Sequence, residues 1–153
     1  MSEEAIHPPT ATVKSPLPPV DKIDADTAER EFKRFTDAME IDLDTEGLDD
    51  NDRRDNEISK RTIIKNIRSG DLIINDRDLP EYTPKRSDRT EAIVFKEPTG
   101  AMLMAIDKKK DTAKVAQIHA LLGSMTGNHE NVFAKMAQSD VKVCSEILMT
   151  FLA

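Results

Sequence analysis

Apolar residues fall into helical spacing twice in the first half of the chain. Over residues 24–40, Ala28, Phe32, Phe35 and Met39 recur at intervals of four, three and four, drawing one stripe along a helix. Asp26 or Thr27 is placed to cap its start, with Glu29 in the first turn. The stripe is narrow and needs a covering surface, from the rest of the chain or from another protein. Over residues 58–68, Ile58, Ile64 and Ile67 share a face that Ile63 widens, and Gly70 supplies a stop. The period then changes. Leu72, Ile73 and Ile74 favour a strand, and residues 75–78 a turn. Pro80, Tyr82, Thr83 and Pro84 fit an edge strand, since proline cannot donate to a central ladder. Two strands are marginal alone, so this unit is expected to lean on a neighbour or a partner.

Helical spacing returns in the second half. Residues 91–97, EAIVFKE, read as a short strand closed by Pro98. Thr99 can cap a helix carrying Met102, Leu103 and Ile106. Val115, Ile118, Leu122 and Met125 form a stripe over residues 112–126, widened by Leu121 and broken at Gly127 and Asn128. A short helix through Val132, Phe133 and Met136 follows. Ser139 or Asp140 is placed to cap a last helix presenting Val141, Cys144, Ile147, Leu148 and Phe151.

The expected fold is mainly α with small β elements, an α+β class. Its divisions are a tail (1–23), an amphipathic helix with a linker (24–57), a helix and β-hairpin (58–90), and a short strand with a helical domain (91–153). The last of these is expected to form the folded core. Residues 1–20 hold five of the eight prolines and read as a disordered or extended tail, with a spacer role favoured over a proline-recognition ligand.

Charge changes the picture at two places. The chain carries −7 overall, of which residues 21–90 carry −6 while residues 91–153 balance. Residues 42–57 hold eight acids against two arginines, which reads as a mobile acidic linker. Acidity opposes general phosphate binding, and no basic groove with stacking aromatics points to nucleic acid. The one basic run, Lys108, Lys109 and Lys110, reads as a solvated helix end. No apolar run has membrane-spanning length, and the N-terminus lacks the apolar segment of a signal peptide. A single cysteine fits a reducing compartment, so cytoplasmic residence is expected.

Candidate chemistry is sparse. Asp42, Asp44, Glu46 and Gly47 begin like a calcium loop, but its closing position holds Arg53 where a bidentate Glu is required. His7, His119 and His129 have no second ligand at metal spacing, and Cys144 sits on an apolar stripe. No catalytic residue, metal or cofactor is assigned. The apolar faces are the remaining feature, and methionines suit adaptable binding surfaces as well as cores. The candidate protein-binding residues are Phe32, Phe35, Met39, Met102, Met104, Ile118, Leu122, Met125, Phe133, Met136, Ile147 and Phe151.

Three short signatures add a likeness: Glu97-Pro98-Thr99 ending a strand, Thr126-Gly127 closing a helix, and Ser139-Asp140 opening the last one. With the runs AIVFKEPTGAMLMAIDKKK, AQIHALLGSMTG and NVFAKMAQSDVKVCSEILMTFLA, residues 91–153 resemble the tail assembly chaperones of tailed bacteriophages. The resemblance implies a non-enzymatic protein in host cytoplasm. Its helical surface over residues 99–153 would cover apolar segments of tail tube and tape-measure proteins, and self-association is a further expectation. The acidic stretch and the segment IRSGDLIINDRDLPEYTP depart from that family's compact form. Two other readings stand beside it: a structural or accessory protein of the virion, and a small regulatory adaptor docking through residues 27–40.

Overall fold

The computed structural model describes residues 21–43, 46–89, 91–107 and 114–153, and only the backbone of 105–107. The proline-rich stretch 1–20 with His7, Asp44 of the calcium-like spacing, the Ile106 side chain and the lysine run 108–110 lie outside the described residues.

Helix α1 (Ala25–Ala38) falls within the expected residues 24–40, and neither Asp26 nor Thr27 caps it. Asp24 is the cap, its Oδ1 accepting the Thr27 N–H at 2.7 Å. That bond holds the Asp24 carboxyl below its usual range. Helix α2 (Asp50–Ser69) takes in half of the stretch expected to be a linker. Asp49 caps it by accepting the Asp52 N–H at 2.8 Å. Asp50 and Asp52 in the first turn meet the positive end of the helix dipole. The acids therefore mark a helix start. Gly70 ends α2 in the left-handed region at φ 85°, its N–H reaching the Asn66 and Ile67 carbonyls.

Three short strands follow: β1 (Leu72–Ile74), β2 (Pro80–Tyr82) and β3 (Ile93–Val94), antiparallel in the order β1-β2-β3. The register pairs Leu72 with Tyr82, Ile74 with Pro80, and Tyr82 with Ile93. The segment expected at an edge is thus the central strand. Pro80 is tolerated because it is the first strand residue and serves as an acceptor, taking the Phe95 N–H at 2.9 Å. Arg34 of α1 pins the β1–β2 turn, donating to the Ile74 and Asn75 carbonyls at 2.7 and 2.9 Å and to Asp78 at 2.5 Å.

Helix α3 (Gly100–Asp107) opens with the Thr99 hydroxyl accepting the Met102 N–H at 3.2 Å. Helix α4 (Lys114–Thr126) closes at Gly127, φ 73°. Within α4, Gly123 lets the following loop approach closely. A Cβ there would stand 2.8 Å from the Asn128 carbonyl oxygen, closer than such contacts occur. The short α5 (Glu130–Ala134) is capped by His129, whose Nδ1 accepts the Asn131 N–H at 3.1 Å. Helix α6 (Gln138–Phe151) has Ala137 at its cap position and no capping bond from its own side chains. Neither Ser139 nor Asp140 caps it. The Ser87 hydroxyl, fifty residues away, accepts the Ala137 N–H at 2.9 Å.

The fold is mixed α+β, mostly helical. One hydrophobic core joins all its parts: Phe35 and Ile63, Leu72 and Tyr82, Leu122 and Ile147 belong to the same cluster. Helix α6 packs against α2, and α1 closes over both, with Phe35 edge-on to Phe151 at 5.1 Å between ring centres. The core therefore runs across the divisions drawn from the sequence at residues 57 and 90.

Candidate functional site

The twelve apolar residues singled out from the sequence separate into three groups. Phe32, Phe35, Leu122, Met125, Phe133, Met136 and Ile147 are buried. Met39, Met102, Ile118 and Phe151 are half-buried against the core. Met104 alone stands well out, at 67% exposure. The α1 stripe is covered by the chain itself, so it has no free face for a partner. Spacing marks which residues share a face but not what covers that face, which is why the buried group passed as a surface.

Two exposed residues were missed. Leu103 beside Met104, and Val115 at the start of α4, are also open to solvent. Helices α3 and α4 pack on each other, so the three belong to one helical pair. Helix α3, GAMLMAID, has apolar residues on every side before its final Asp107. That all-round pattern was the available signal, because a short helix packed on one neighbour cannot cover them all.

One fully bonded, buried carboxylate is a group that spacing could not reveal. Asp140, in the first turn of α6, is 1% exposed. Its Oδ1 accepts the Tyr82 hydroxyl at 2.6 Å and the Lys85 N–H at 2.8 Å. Its Oδ2 accepts the Arg86 N–H at 2.9 Å and the Ser87 hydroxyl at 2.8 Å. Burial pushes this carboxyl up, but the Tyr82, Lys85, Ser87 and Arg86 donors outweigh it and hold the group below its usual range. Two oxygens with four donors have little room for a substrate or a metal. The arrangement is a clamp: it ties the loop after β2 to the start of α6, and the helix dipole favours a carboxylate there.

Other groups weighed for chemistry are similarly occupied. Burial pushes the Cys144 thiol up to about 12, so it stays protonated and inert at neutral pH. His129 spends its Nδ1 on the α5 cap. Arg53, at the closing position of the calcium-like spacing, bonds the Asp50 carboxylate at 2.9 Å. Among the described residues, no cluster of three or more His, Cys, Asp or Glu could hold a metal ion. Nor is any helix among them long and apolar enough to cross a membrane.

Fold and surface together define a small, mostly helical α+β protein with an exposed apolar helical pair. Comparison with known protein families, with curated proteins and with solved structures finds no match.

Proposed function

We propose that this chain is a non-enzymatic assembly chaperone of the phage-tail kind, acting in host cytoplasm by holding apolar segments of tail tube or tape-measure protein. The observation that carries the reading is the α3–α4 pair, where Leu103, Met104 and Val115 are exposed at 40, 67 and 66%. Exposed apolar side chains on one helical pair favour association with another polypeptide. Methionine suits such a surface because its unbranched side chain repacks against unlike partners. Two of the three signatures of the resemblance border the same pair. Glu97-Pro98-Thr99 leads into α3, and Thr126-Gly127 closes α4.

The proposed mechanism is masking. The pair covers apolar partner surface until assembly removes it, and the chain's net charge of −7 keeps the complex soluble. No bond is made or broken.

Co-expression tests this directly. Tail tube or tape-measure protein should stay soluble and co-purify with the chain. The double variant Leu103→Ser, Met104→Ser should lose co-purification while melting like the parent. Undiminished capture by that variant would remove α3 from the mechanism. Abundant chain in finished particles, read by mass spectrometry, would favour the virion-component alternative.

A further inference from the structure

A second surface differs in chemistry from the α3–α4 pair. A groove of about 540 Å³ runs between the first turns of α2 and the end of α6. Its apolar walls come from Leu48 and Ile58 on one side and from Met149 and Leu152 on the other. Met149 and Leu152 are 42 and 43% exposed and lie three residues apart, one helical step along the groove. Opposite them, Asp52 and Asp55 repeat the same three-residue step on α2, and Glu146 adds a third carboxylate. The lining residues include no Lys or Arg.

These acids are not all explained by the fold. Asp52 is accounted for by the N-terminal dipole of α2. Asp55 lies beyond the first turn, where that effect has faded. Glu146 stands toward the negative end of α6, whose last turn carries no basic residue. Glu146 accepts the Ser59 hydroxyl at 2.8 Å. Among the described residues, no cation lies within ion-pair distance of Asp52, Asp55 or Glu146. The groove thus has an apolar row, a parallel acidic row and a helix C-terminus, all three complementary to cations set beside apolar side chains.

We infer that the α2–α6 groove docks a basic amphipathic segment of a partner protein, with apolar side chains against Met149 and Leu152 and Lys or Arg against Asp52, Asp55 and Glu146. The two rows run at helical spacing, so a helical segment fits both at once. The inference stands apart from the tail-assembly reading and requires nothing of α3.

The test uses the full chain and a fluorescent peptide of about 14 residues, Leu and Lys in amphipathic order. Fluorescence anisotropy should show saturable binding, weakened about tenfold by Asp52→Asn with Asp55→Asn and to a similar degree by Met149→Ser with Leu152→Ser. Asp26→Asn with Asp76→Asn removes the same charge from exposed sites elsewhere and should leave the affinity unchanged. So should Leu103→Ser with Met104→Ser. A Glu/Leu peptide of the same pattern should not bind. Hydrogen exchange on the unmutated chain should gain protection in residues 48–59 and 146–152 when the Lys/Leu peptide is added. Equal weakening by the distant Asp→Asn pair would reduce the effect to net charge and overturn the inference. Protection confined to α3 and α4, or self-association that excludes the peptide from the groove, would overturn it as well.

Discussion

The Asp140 carboxylate receives four hydrogen bonds on two oxygens, and all four donors come from residues 82–87. Replacing it with Ala leaves a buried phenol and two backbone N–H groups without an acceptor, at a cost of about 3 kcal/mol. Urea unfolding of Asp140→Ala measures this. The sign of the pH effect follows from the depressed folded pKa. The stabilisation is complete above the unfolded value of about 3.9 and is lost as pH falls through the lower folded value. Asp140→Asn should therefore flatten the acid limb of the stability curve below about pH 4. An unchanged limb would mean that this carboxylate contributes nothing to it. Tyr82 offers the opposite sign. Burial and then the Asp140 bond raise its pKa, so its contribution holds below the unfolded value of about 10 and fades only as pH rises through the folded one. It is the one tyrosine in the chain, so ultraviolet titration reads it alone. The folded protein should show no phenolate at about pH 11, and phenolate should appear together with unfolding.

At the scale of elements, what was legible in the sequence depended on whether the deciding interaction was local. The Gly70 stop, the strand at Leu72–Ile74 and the Thr99 cap rest on neighbours within a few residues, and the structure has them where the spacing put them. The start of α2 was misread because counting acids ignores their position, and position relative to a helix dipole turns a repelling run into a helix signal. Asp49 is the residue that decides it. Asp49→Ala should cost about 1 kcal/mol. In the parent protein, amides 53–57 should exchange more slowly than in a free peptide. Free-peptide rates there would return the segment to a linker. The edge-strand expectation failed for a related reason: proline is excluded from strand interiors, and Pro80 stands at the first position. Asp140 lay beyond any local reading, since its partners are more than fifty residues away.

At the scale of the molecule, α6 decides which apolar residues remain free. Val143, Cys144, Ile147 and Leu148 are all buried, so the last helix is the centre of the core. Helix α2 packs along it, and the Asp140 clamp fixes its start to the sheet. Most of the residues that looked able to grip a partner are used up in this packing. Of the six large apolar side chains exposed among the described residues, three lie on α3 and α4 and two at the α2–α6 groove. The two proposed binding faces are therefore unlike, one apolar and adaptable, the other apolar with an acidic border.

Hydrogen exchange on the intact chain, alone and mixed with a candidate tail tube or tape-measure protein, reads out whether α3 and α4 hold a partner. Binding by α3 and α4 would bring new protection across residues 100–107 and the first turns of α4, with α1 unchanged because its apolar stripe is already covered. Mixtures in which α3 and α4 exchange as fast as in the free protein would contradict it.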